Sequence, residues 1–179
     1  MLDATIFRWF PPLRAAWAPR GQQARVPITG QNAKRTLWGA IHIRTGHRIL
    51  GRSHRMRQED FQAFLRVLRR RYAGRPLWIL LDMAPCHRAV RSQALAARLG
   101  IRLLWLPKQC SELNGMDHLW RELKRLRAAN RQYRTVDAEV DAAEAWVLGL
   151  TRTQALRKAG MLTKKFWLRH FRQDFCRPT

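Results

Sequence analysis

Three carboxylates stand where a sheet could gather them: Asp3 near the chain start, then Asp82 and Asp117 with 34 residues between them. Asp82 ends the apolar run Leu77 to Leu81, which reads as a strand buried on both faces. That puts it at the C-terminal edge of an open α/β sheet, where ligands usually bind. A bare carboxylate there is costly unless it is hydrogen-bonded or holds a cation. Asp117 lies just after the next strand, so the two loops converge on one sheet edge. Plainer readings exist for each residue alone. A strand-end Asp can cap the following loop, and Asp117 suits the third helical position behind an Asn114 N-cap. Asp3 by itself is an unremarkable strand residue. Taken together they supply what two hard divalent cations need, since Mg²⁺ takes oxygen ligands, commonly one or two carboxylates plus water and phosphate. Two such ions roughly 3.5–4 Å apart can activate an attacking oxygen and stabilise the leaving oxygen of a phosphodiester.

The elements that would position these groups follow from periodicity. Leu2 to Phe10 has β-prone residues, and Thr36 to Arg44 with Arg48 to Ser53 flank Thr45-Gly46-His47 as a hairpin. Phe61, Phe64, Leu65 and Leu68 recur at helical spacing within 58–72, giving an amphipathic helix with an Arg-coated outer face. The strand before Asp82 leads to a helix over about 88–99, a Gly100 C-cap and a second apolar strand, 101–106, stopped by Pro107. Strand, helix and strand of this length make a parallel βαβ unit. Helices are expected over 114–129, 136–149 and 151–172, the last carrying Phe166, Trp167 and Phe171. The fold class is therefore α/β or α+β, a mixed β-sheet flanked by helices with a helical C-terminal tail. Of the remaining acids, Glu59, Asp60, Glu122, Asp137, Glu139, Asp141 and Glu144 fall on helix surfaces or starts, where solvation or capping accounts for them.

The surroundings are strongly cationic. Lys and Arg number 35 against 12 Asp and Glu, a formal charge of +23, and 29 of the 35 are Arg. Such self-repulsion destabilises a compact state without a polyanion nearby. The basic residues run along the whole chain, which favours a broad phosphate-facing surface over a membrane-surface helix. An apolar fraction of 46% and eight Trp exclude a disordered basic tail. The longest apolar stretch, Pro76 to Leu81, is too short to span a bilayer. The start, Met-Leu-Asp-Ala-Thr, lacks the basic-then-apolar order of a signal peptide. Cys86, Cys110 and Cys176 are widely spaced, so no zinc cluster or disulfide scaffold is read, and a reducing cytoplasmic setting is expected. Neither a Gly-x-Gly-x-x-Gly nor a Gly-x-x-x-x-Gly-Lys loop is present.

Two segments resemble a known family. Leu80-Leu81-Asp82-Met83-Ala84-Pro85-Cys86-His87 is similar to the "LDNAPxH" signature of DDE/D transposases of the Tc/mariner-like insertion-sequence group. Leu106-Pro107-Lys108-Gln109-Cys110-Ser111-Glu112-Leu113-Asn114-Gly115-Met116-Asp117-His118-Leu119-Trp120 resembles their "LPxxSPxLNPxE/DxxW" block. The 34-residue interval is characteristic of that group, and Phe10 to Gly21 resembles the "WxPxG" segment after its first catalytic Asp. The resemblance implies an RNase H-like fold, with Asp3, Asp82 and Asp117 as the catalytic and metal-binding triad for two Mg²⁺ (or Mn²⁺) ions. It implies metal-dependent cleavage of double-stranded DNA at insertion-sequence ends, then strand transfer into target DNA. His87 and Asn114 match motif positions beside the site and would act behind the triad. Residues 1–133 would form the catalytic domain and 134–179 a helical extension packed on it. The full-length family works as homo-oligomers on DNA, which for a bacterial protein means a nucleoid-associated cytoplasmic setting.

Departures from the family pattern are visible as well. Ala4 stands where Glu is usual beside the first Asp, Met83 where Asn is common, and Gly115 where Pro usually opens the helix. The glycine is expected to loosen the turn carrying Asp117, by roughly 1 kcal/mol through chain entropy. Only Met1 and Leu2 precede Asp3, and no N-terminal helix-turn-helix modules are read. The expectation is thus a catalytic half, active or decayed through truncation. The alternative is a non-catalytic basic DNA-binding or transposition-inhibiting fragment that keeps the fold.

Overall fold

The computed structural model describes residues 1–26, 28 and 32–169. Its first sheet is antiparallel: β1 (Leu2–Arg8) pairs with β2 (Lys34–Ile41), and β2 with β3 (Arg48–Ser53). β4 (Leu77–Leu81) and β5 (Ile101–Trp105) form a parallel pair, and β1 contacts β4. The strands thus run β3-β2-β1 and then β4-β5, a mixed α/β arrangement in two hydrogen-bonded parts with β1 at its centre.

Helices cover both faces. On one face, α1 (Gln58–Arg71) buries Phe61, Phe64, Leu65 and Leu68, as its spacing predicts, against Leu2, Trp38, Ile79 and Leu81. Its first turn is held by the Arg57 amide, which donates to the Asp60 carboxylate at 3.1 Å. On the other face, α4 (Gly115–Leu123), α5 (Val136–Gly149) and α6 (Arg152–Lys158) close a core with Phe7, Leu37 and Ile41. Thr135 and Thr151 cap α5 and α6, accepting from the amides of Ala138 and Gln154.

Several boundaries differ from the sequence expectation. The helix expected over 88–99 is two pieces, α2 (Pro85–Arg88) and α3 (Val90–Arg98), broken at Ala89 with an extended ψ of 133°. Side chains compete with the helical backbone there: Ser92 Oγ donates to the Cys86 carbonyl at 2.9 Å and Gln93 to that of Arg88 at 2.7 Å. The helix expected over 114–129 ends as α4 at Leu123 and finishes in one π turn, Lys124–Ala128. The last expected helix, 151–172, stops as α6 at Lys158. Gly160 has φ +72°, and the Met161 amide closes back on the Leu156 carbonyl at 2.9 Å. Phe171 lies outside the described residues. β4 is not buried on both faces, because Trp78 is exposed on one side beneath the Arg102 guanidinium, 5.2 Å from its ring. No helix among the described residues is long and apolar enough to cross a membrane.

Candidate active site

Three elements bring the carboxylates together. Asp3 is the second residue of β1, paired in register with Gly39 of β2. Asp82 directly follows β4, which β1 contacts, and Asp117 is the third residue of α4, a helix packed on β1 and β2. All three line one cleft of about 510 Å³, together with Asn114, Arg88 and Lys108. At the lip of this cleft Gln109 adopts a left-handed φ of 59°, a backbone state rare for a residue with a side chain.

Asn114 connects two of these elements. Its Oδ1 accepts from the Met116 amide at 3.1 Å, capping α4, while its Nδ2 donates to the Leu2 carbonyl at 3.0 Å. One buried side chain thereby ties the start of the Asp117 helix to the strand carrying Asp3. Gly115 beside it also meets a packing requirement. A Cβ there would meet Met161 Cε at 2.5 Å and the Ala159 carbonyl oxygen at 2.9 Å, so the residues after α6 occupy the space a larger residue would need.

His87 holds Asp82 from behind. It is fully buried, with its ring 4.5 Å from that of Phe61 and 6.0 Å from that of Trp38. Its Nδ1 donates to Asp82 Oδ1 at 2.7 Å, and the Ala84 amide donates to the same oxygen at 3.2 Å. The His87 bond, the largest influence, keeps the Asp82 carboxyl below its ordinary pKa. Burial works against the His87 cation, but the Asp82 bond and the neighbouring Cys86 outweigh it and raise the imidazole to about 9. Asp117 forms an ion pair with Arg121, one helical turn on.

Among the described residues Asp3 has no direct cationic partner, although the His87 charge lowers its pKa from a distance. Burial pushes its pKa up to about 7, the Ala4 backbone hydrogen bond lowers it, and the negative charges of Asp82 and Asp117 raise it further. A desolvated carboxylate facing two more is stabilised by any cation placed among them, and an all-oxygen donor set suits Mg²⁺ or Mn²⁺. The residues thus fit the ions that the motifs imply. They do not form a preassembled cage: among the described residues no three His, Cys, Asp or Glu side chains close on a common metal position. Asp82 leans to His87 and Asp117 to Arg121 instead.

Some contributors were not read from the sequence. Arg88, Lys108 and Lys124 line the site's walls, and Gly39 lets α4 approach the strand beside Asp3. Glu139, expected on a helix surface, is 4% exposed, and burial lifts its pKa to about 7 against the opposing influence of Lys124. It shares the inner stripe of α5 with Val136, Val140, Ala143 and Val147, so its helical phase could have marked it.

Asp3, Asp82 and Asp117 thus line one cleft where β1 meets β4 in a mixed α/β arrangement. The chain belongs to the DDE superfamily endonuclease family, whose model matches residues 1–138. An insertion element IS630 uncharacterized 39 kDa protein of Shigella sonnei is 28% identical over 124 residues, 68% of this chain and 36% of that protein. The chain thus spans about a third of that relative's length. Two solved structures share the fold at low identity. The Mos1 transposase paired-end complex with left transposon end has a TM-score of 0.69 at 16% identity, over 92% of this chain and 52% of that one. The Mos1 transposase catalytic domain with raltegravir and Mg has a TM-score of 0.62 at 15% identity, over 99% and 85%. The resemblance to Tc/mariner-like transposases read from the two motifs therefore holds.

Proposed function

We propose that this chain is the catalytic domain of an insertion-sequence transposase, cleaving DNA at the element's ends and joining it to target DNA. The observation that carries this reading is the convergence of Asp3, Asp82 and Asp117 on one cleft, from a central strand, a strand end and a helix start. Asp3, Asp82 and Asp117 would hold two Mg²⁺ or Mn²⁺ ions. Bound there, such ions lower the cost of generating an attacking oxygen and of charge on the leaving oxygen of a phosphodiester. The chain's own residues set the stage. His87 fixes the direction of Asp82, Asn114 keeps α4 on β1, and Arg88 and Lys108 offer positive charge to the strand entering the cleft. Residues 1–133 form the catalytic unit in this reading and 134–179 its helical extension. Homo-oligomers on double-stranded DNA, in the nucleoid of a bacterial cytoplasm, complete it.

The test is nicking of transposon-end duplex DNA with Mn²⁺ or Mg²⁺. The unaltered chain nicks and Asp82→Asn does not; equal nicking by the variant refutes the assignment. A second reading, a non-catalytic DNA-binding or transposition-inhibiting fragment, is favoured by one observation: Asp117 is engaged by Arg121 and the three carboxylates do not close on a point. That reading predicts DNA binding with no metal-dependent nicking by either protein.

A further inference from the structure

The hairpin turn between β2 and β3 gathers positive charge at the end of the sheet away from Asp82. Gly46 in this turn, with φ +67°, sits against the first residue of α6: a Cβ there would lie 2.3 Å from the Arg152 carbonyl oxygen. His47, the next residue, reaches the end of α1. There the Tyr72 hydroxyl donates to its Nδ1 at 3.0 Å, and the two rings meet edge to face, 6.1 Å apart. Tyr72 follows Arg71, the last residue of α1, and leads into the start of β4, whereas Asp82 follows the far end of that strand. Arg48, the first residue of β3, is held from inside: its guanidinium donates to the carbonyls of Gly46, Leu148 and Leu150 at 2.8, 3.1 and 2.5 Å. None of His47, Arg71 and Arg152 lines the cleft that holds the carboxylates.

Positive groups surround this turn on every side. Burial first, and then the charges of Arg71, Arg152 and Arg48, hold the His47 imidazole below its ordinary pKa. Arg48 is disfavoured in the same way, by burial and by Arg152. His42, on the other arm of the turn, meets the chain's amino group, His47 and Arg44. Among the described residues Arg48, Arg71 and Arg152 close no ion pair, and Arg71 and Arg152 are exposed. Crowded cations repel one another, and an anion placed among them relieves that cost. Guanidinium groups suit phosphate best, because their paired N–H donors match its oxygens. Since the Tyr72 hydroxyl takes Nδ1, the neutral His47 ring carries its proton on Nε2, a further donor for the same anion.

We propose that this turn is a phosphate-binding site, in which His47, Arg71 and Arg152 hold one phosphate group at the opposite end of the sheet from the carboxylates. The shared chemistry has two sources, a free phosphate ion or a phosphate of a DNA backbone, and the test tells them apart. The imidazole Cε1–H signals are followed by ¹H–¹³C NMR at pH 7.0 in EDTA, and His47 is identified by the signal lost in His47→Gln. Sodium phosphate is added in one series and a short DNA duplex in another, each against sodium chloride at matched ionic strength. The His47 signal should move downfield and saturate, with phosphate alone if the ligand is the free ion and only with the duplex if it is a backbone. Arg71→Gln and Arg152→Gln change exposed side chains and should each weaken that response roughly two- to five-fold. The double variant should weaken it further. A His47 signal that moves no more with either probe than with chloride overturns the site, and that measurement needs no variant to fold beyond the one used for assignment. A response of full strength in the folded double variant overturns it as well. Failure of the duplex to bind at all, read by fluorescence anisotropy, counts against the transposase reading and not against a site that phosphate fills.

Discussion

Replacing Gly39 by alanine adds a single methyl group at the point where α4 meets β2. Gly39 pairs with Asp3 across β1 and β2, and α4 crosses directly over it. The new Cβ would lie 2.5 Å from Met116 Cε, 2.5 Å from Trp120 Cζ2 and 2.8 Å from Trp120 Cη2. Met116 Cε is the end of a flexible chain and can swing aside. The Trp120 ring is 2% exposed and wedged in the core with Leu119 and Leu123, so it moves only if α4 lifts. Gly39 does not have a positive φ, so the effect comes from crowding alone. Overpacking of this kind costs about 1–3 kcal/mol. For a domain of this size that lowers Tm by roughly 2–12 °C. Lifting α4 also carries Asp117 away from Asp3, so cation affinity should fall alongside stability. The assay is thermal unfolding by circular dichroism, with and without Mn²⁺, beside Gly149→Ala as the control. Gly149 has open space around it and should give a neutral or slightly raised Tm. If Gly39→Ala melts like the control, α4 does not pack this closely on β2 and the geometry given for Asp117 is wrong.

Two further outcomes follow from single side chains. Asn114→Ala removes both the α4 cap and the tether to Leu2, costing about 2 kcal/mol in chemical denaturation. Asn114→Asp keeps the cap acceptor but sets a buried carboxylate against the Leu2 carbonyl, so it should be no more stable than Asn114→Ala; stability of both variants equal to that of the unaltered chain would show that the tether does not matter. Glu139 gives a pH dependence with a defined sign. Its folded pKa, about 7, lies above the ordinary 4.5, so the folded state binds the proton more tightly. Stability from this group is full below pH 4.5 and is lost as pH rises to about 7. Glu139→Gln should flatten that part of the pH–Tm curve, and an unchanged slope would assign the dependence to another group.

What the sequence made legible was whatever depends on local period and motif. Leu77 to Leu81 announces a strand, and the residue ending it had to be Asp82. Asn114 announces an N-cap, which fixes Asp117 at the third helical position. Features that depend on what arrives from elsewhere in the chain were not legible. The break at Ala89 comes from the Ser92 and Gln93 side chains taking up carbonyls, which helical spacing does not report. The packing requirement at Gly115 arises because Met161 and the Ala159 carbonyl come to it from beyond α6. Nothing in the sequence singles out Arg121 and Lys124, which border the carboxylates only once α4 is laid on β1. Glu139 is the one avoidable miss, since its phase on α5 already placed it inward.

The central claim is that Asp3, Asp82 and Asp117 act as one cation-binding unit. Direct titration of Mn²⁺, followed by electron paramagnetic resonance of the free ion at pH 7.5, tests it without DNA or turnover. The unaltered chain should take up two Mn²⁺ ions, and Asp3→Asn, Asp82→Asn and Asp117→Asn should each weaken uptake by roughly ten-fold or more. Uptake that is the same in all four proteins, or absent from the unaltered chain, would contradict the account.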